Sequence, residues 1–122
     1  MEAQYEADLR SAVDTLPVSA VSFAAGLVVT LPAGAASAAE REYILELLRA
    51  RGPTTPTLAQ AALLSAWAIA RELGSSVRAS QGSSAWQTIC NLGLRADALA
   101  AFDFYERLVR ANTARACGQI SQ

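Results

Sequence analysis

The chain has 122 residues, a length that suits one domain with a core of its own and no need of disulfides or metal. About half the residues are apolar, many of them Ala, and the net charge is −1, so composition excludes a strongly basic nucleic-acid binder. His and Lys are absent, which removes the side chain that titrates near neutral pH, the usual general base and the commonest metal ligand.

Ala3–Leu16 reads as a first amphipathic helix, with Tyr5, Leu9, Ala12, Val13 and Leu16 on one face. Pro17 ends it, because the residue before proline avoids helical angles. Val18–Leu31 carries no charge. Val28, Val29 and Thr30 favour a strand; Ala24, Ala25 and the length favour a helix, and helix is expected because no second strand exists to pair with it. It is too short to span a bilayer, and the acidic segment before it does not suit a secretory signal.

Ser37-Ala-Ala-Glu40 is a capping box opening a helix to about Ala50, with Ile44, Leu45, Leu47 and Leu48 inward. Arg49 is placed to offset Glu46, and Gly52-Pro53 ends the helix through a left-handed glycine. Thr57-Leu-Ala-Gln60 is a second capping box. It opens the stretch to Gly74, which has no charge before Arg71 and reads as a central helix surrounded by others. Ser75–Ser84 is loop-like, with Arg78 among hydroxyls and amides. Ser84-Ala-Trp-Gln87 is a third capping box, opening a short helix with Trp86, Ile89 and Cys90 inward and closed by Gly93. Arg95–Ala116 is the longest helix, with Leu99, Phe102, Glu106 and Val109 on one stripe and Gly118 as its cap. Asp103–Arg107 and Glu106–Arg110 are spaced as i,i+4 surface ion pairs, acid first.

The expected architecture is a single all-α domain over residues 1–122, a compact bundle of five to six helices around the apolar helix at about 57–73. Residues 1–50 set Glu2, Glu6, Asp8, Asp14, Glu40, Glu42 and Glu46 against Arg10, Arg41 and Arg49, and residues 51–122 are basic. Such asymmetry suits an anionic partner, head-to-tail self-association, or two halves folded on each other.

No catalytic, metal or cofactor site is expected. Ser and Cys lack a His base, and Cys90 and Cys117 follow no ligand spacing and read as buried thiols. Glu40, Glu42 and Glu46 read as a solvated helix face. Arg71, Ser75, Ser76 and Arg78, with Ser80, form a weak candidate for contact with a phosphate backbone, against the plainer reading of a solvated connector.

Two stretches resemble the coat proteins of flexible filamentous plant viruses, the potexvirus and carlavirus group. Pro53-Thr-Thr-Pro-Thr-Leu-Ala-Gln-Ala-Ala62 running to Arg71-Glu-Leu-Gly-Ser-Ser76 is similar to a family helix that ends in a Gly-Ser-Ser turn. Ala100-Ala-Phe-Asp-Phe-Tyr105 resembles the family's Ala-Ala-Phe-Asp-Phe-Phe segment, but the Arg-Gln-Phe-Cys block between them in the family has no counterpart here. The resemblance implies a helical subunit that polymerises around single-stranded RNA, with Asp103 as a structural acid. The expected function is therefore a non-enzymatic structural subunit of a capsid-like or other self-assembly, in the virion or cytoplasm. Its partners are further copies of itself and, in the coat-like case, single-stranded nucleic acid. The alternatives are a ring-forming phage-type head–tail connector and a small helical adaptor that binds one protein partner.

Overall fold

The computed structural model describes residues 3–31, 34–72 and 83–120, with backbone only for residues 71, 72 and 116–120. Six helices and no strand are found among them: α1 (Ala3–Asp14), a short 3-10 turn (Val18–Ala20), α2 (Val21–Val29), α3 (Ala38–Arg49), α4 (Leu58–Glu72), α5 (Ser84–Asn91) and α6 (Arg95–Ile120). The expected all-α bundle is present, and the 18–31 segment resolves as helix.

The helix at the centre is α2, not α4. Val21, Phe23, Ala24, Ala25, Leu27 and Val28 are all buried. α2 packs on α6, α3 and α4, while α6 also covers α1. The Phe23 and Phe102 rings meet edge to face at 5.5 Å, an arrangement that complements ring quadrupoles. α4 packs chiefly on α5, with a smaller contact to α2, and turns its other side to solvent. The absence of charge in α2, and in α4 as far as Ala70, has two different causes. In α2 the uncharged residues are large Val, Leu and Phe side chains that fill the core. In α4 the outward ones are Leu58, Ala61, Ala62, Ser65 and Ile69.

Helix ends follow local chemistry. At α3, Ser37 Oγ accepts from Glu40 N at 3.1 Å, and the Glu40 carboxylate accepts from Ser37 N at 3.5 Å. At α4, Thr57 Oγ1 accepts from Gln60 N at 3.2 Å, and Gln60 Oε1 accepts from Thr57 N at 3.0 Å. Gln60 Oε1 also accepts from Ser22 Oγ at 3.0 Å, so this cap fastens α4 to α2. At α5 the cap is Ser83, one residue before the expected Ser84; its hydroxyl accepts from Trp86 N at 3.1 Å. Ser84 is inside the helix, where its carbonyl accepts from Thr88 Oγ1, and Gln87 reaches forward to Asn91. Gly93, at φ +74°, closes α5. Its N donates to Cys90 O, and Leu94 N donates to Ile89 O, the paired bonds that end a helix on a left-handed residue.

Gly52 does not use that conformation, since Gly93 is the one positive-φ glycine among the described residues. Gly52 instead abuts Val18, and its N donates to Leu48 O. Gly118 does not stop α6, which runs to Ile120; a glycine ends a helix only by leaving helical angles, and inside one it costs about 1 kcal/mol relative to Ala. The buried stripe of α6 is Ala98, Ala101, Phe102, Phe104, Tyr105 and Leu108, while Leu99 and Val109 are partly exposed.

Gly26 sets the approach of α2 to α4. A Cβ built there would lie 2.4 Å from Leu64 Cδ1 and 3.0 Å from Pro56 Cγ. Leu64 is buried, so its side chain has little room to move aside. Gly26→Val is therefore expected to destabilise the fold by about 1–3 kcal/mol through overpacking, read as a lower urea midpoint. An unchanged midpoint would show that α4 does not seat against α2 at this point.

Candidate interaction face

Of the sequence-derived nucleic-acid candidates, Arg71 is in the last turn of α4, described in backbone only; Ser75, Ser76, Arg78 and Ser80 lie outside the described residues. The two ion pairs expected on α6 do not form. Arg107 turns across to α1, donating to Thr15 Oγ1 at 2.7 Å and to Ser11 Oγ at 3.3 Å. Two hydroxyls on a packed neighbour hold a guanidinium in one place, whereas an exposed i,i+4 carboxylate offers little net energy. Asp103, Glu106 and Arg110 are exposed, and no ion pair links Asp103 to Arg107 or Glu106 to Arg110.

Several Arg side chains serve the fold instead. Arg51 donates to the carbonyls of Val13 and, at 2.8 Å, Leu16, and Arg41 donates to Leu31 O at 3.0 Å. Cations at helix C-termini satisfy carbonyls that the helix leaves over and complement its dipole. Arg49 bridges Glu42 at 2.9 Å and Glu46 at 2.6 Å.

The most enclosed ion pair joins α3 to α6. Arg115 Nη1 donates to Glu40 Oε2 at 2.6 Å, with both side chains about one-fifth exposed. The same guanidinium donates to Asn112 Oδ1 and stands 4.1 Å over the Tyr5 ring. Burial pulls the Glu40 carboxyl up, but the hydrogen bond and charge of Arg115 and the contacts with Ser37 outweigh it and hold the carboxyl below its ordinary value. Burial and the charge of Glu40 raise the Tyr5 phenol. Glu40 was expected on a solvated face; its place beside α6 also shows that the acidic and basic halves partly neutralise each other inside the fold.

A carboxyl with a depressed folded pKa stabilises fully above its unfolded value and loses that contribution as pH falls through the folded one. Arg115→Met is therefore expected to cost about 1–3 kcal/mol at neutral pH, the scale of a hydrogen bond to a charged group. The deficit should shrink once acid protonates Glu40 in both proteins. A deficit equal at neutral pH and at about pH 3 would place the effect in packing rather than in the pair.

Among the described residues no group of three or more His, Cys, Asp or Glu is placed to hold a metal ion. Cys90 is a free, half-buried thiol rather than a fully buried one, and the Cys117 side chain lies outside the described residues. The grooves found among the described residues are open to solvent. One of about 300 Å³ is lined by Asp8, Arg107, Arg110, Ala111 and Ala114, a mix of signs that gives no single-charge site. Among the described residues no single helix is long and apolar enough to cross a membrane.

What distinguishes the surface is where charge is missing. Residues 53–70 and 83–94 contain no Asp, Glu or Arg, although α4 and α5 both face solvent on one side. Apart from Arg71 and Glu72 at the end of α4, every charged residue among the described ones is on α1, α3, α6 or the Arg51 turn. On α4, Leu58 is 92% and Ile69 61% exposed, and Ala61, Ala62 and Ser65 lie exposed between them. The opposite side, with Gln60, Leu63, Leu64 and Trp67, is buried. Leu92, beyond the end of α5, is also exposed. Sequence reasoning found the uncharged stretch but assigned it to the core. The signal that separates the two cases is side-chain size: a helix face of Ala and Ser gains little from burial in a monomer core. No family model, characterised protein or solved structure matches the chain.

Proposed function

We propose that this chain is a non-enzymatic helical subunit that assembles with further copies of itself through the α4–α5 layer. The observation that carries the reading is the uncharged, partly apolar outer side of α4. Exposed helix faces in soluble domains ordinarily carry Glu, Lys or Arg, whereas loss of charged residues marks the centre of a protein–protein interface. A side chain as open as Leu58 gains about 1.5–3 kcal/mol when fully buried, so association would remove surface that folding left wet. The acidic–basic asymmetry supports the reading less, because Glu40 and Arg115 already meet within the chain.

Light scattering over a concentration series tests this. Mass rising with concentration and insensitive to salt is expected, because the face has no charge to screen. A monomer at every concentration removes the assembly reading and favours an adaptor for one partner. Mass that collapses in high salt moves the contact to the charged helices. The coat-like form of the proposal adds single-stranded RNA, and predicts excess absorbance at 260 nm that nuclease removes. A nucleic-acid-free assembly leaves the structural or connector form.

A further inference from the structure

We infer that the occupant of the α4 face is the same face of a second copy, packed antiparallel about a two-fold axis between Ala62 and Ser65. The inference rests on the self-assembly reading and names its geometry. Leu58, Ala62, Ser65 and Ile69 fall within about 60° of one another around the helix and span about 16 Å along it. Their order is self-complementary. Under a two-fold at this point Leu58 meets Ile69 of the second copy, and Ala62 meets Ser65. Large side chains at the two ends then cover each other, and small ones at the middle let the helix axes approach closely. A two-fold contact brings each residue of a patch against the same patch. A charged face would repel itself there; this one has no charge from Thr57 to Ala70.

The buried area sets the strength. One helix face of this length, even with adjoining α5 surface, falls below the roughly 1,200 Å² total at which stable complexes begin. The dimer is therefore expected to be weak and concentration-dependent. Because a two-fold contact closes on itself, larger assemblies are built from this dimer through a second surface.

Sedimentation velocity of four proteins tests the geometry: wild type, Leu58→Lys, Ile69→Glu and the double variant. Both positions are mostly exposed, so circular dichroism and melting of the monomers should stay unchanged. The wild type is expected to dimerise and each single variant to lose at least about tenfold in affinity. The double variant should recover most of that loss, since each introduced cation then faces an introduced anion across the axis. A parallel pairing would set like charges together and weaken the double variant further, which overturns the inference. Single variants that dimerise like wild type also overturn it, while leaving self-association through another surface standing. A wild type that stays monomeric overturns both.

Discussion

Phe23→Ala is expected to lower the unfolding free energy by about 3–5 kcal/mol, the cost of deleting a large buried aromatic side chain. Phe23 is 1% exposed and stands edge-on to Phe102 at 5.5 Å. It belongs to α2, which three other helices cover. Truncation removes the transfer energy of the ring and leaves a cavity that the surrounding helices can close only in part. Val29, at the end of the same helix, is 65% exposed, so Val29→Ala should stay within about 0.5 kcal/mol. Urea unfolding of the two variants measures the contrast. A loss under 1 kcal/mol at Phe23 would be incompatible with α2 as the centre of the bundle.

Trp67→Ala should cost a similar 3–5 kcal/mol, while Ile69→Ala, two residues along the same helix, should change monomer stability by no more than about 0.5 kcal/mol. Trp67 is 1% exposed and meets the Tyr105 ring at 5.0 Å with planes 77° apart. Ile69 is 61% exposed. The pair therefore separates the side of α4 that holds it to the fold from the side available to a partner. The comparison is made in dilute protein, where association does not stabilise the native state. A large loss at Ile69 under those conditions would mean that the outer side is buried within the monomer.

Much of the helical layout was legible in the sequence. Ser37 and Thr57 with their acceptors three residues on, Pro17 and Gly93 are local signals whose physics needs no tertiary partner. The third cap missed by one residue because Ser83 and Ser84 are both competent acceptors, and only the packing of α5 chooses between them. The centre was misplaced for a deeper reason. Both Val18–Leu31 and Thr57–Ala70 lack charge, and helical periodicity shows that a face avoids water without showing what covers it. Gly26 was the one local irregularity in the α2 run, and here Leu64 and Pro56 fill the space a side chain would take.

The candidate site was legible as composition and not as placement. The uncharged run of α4 was plain, but its outward side emerged only once Trp67, Leu63 and Leu64 were seen to turn inward. The α6 pairs failed because i,i+4 spacing lists neighbours on one helix and omits the end of α1, where Ser11 and, just past the helix, Thr15 take Arg107. Glu40 likewise lies beside Arg115, far along the chain, a contact that no spacing rule reaches.

Hydrogen–deuterium exchange at low and high protein concentration tests the central claim most directly, because it reports which backbone segment association protects. Protection that rises with concentration in residues 57–70, and stays constant in α1, α3 and the first half of α6, is the predicted result. Protection gained on those charged helices with none in α4, or no change at any concentration, would contradict it.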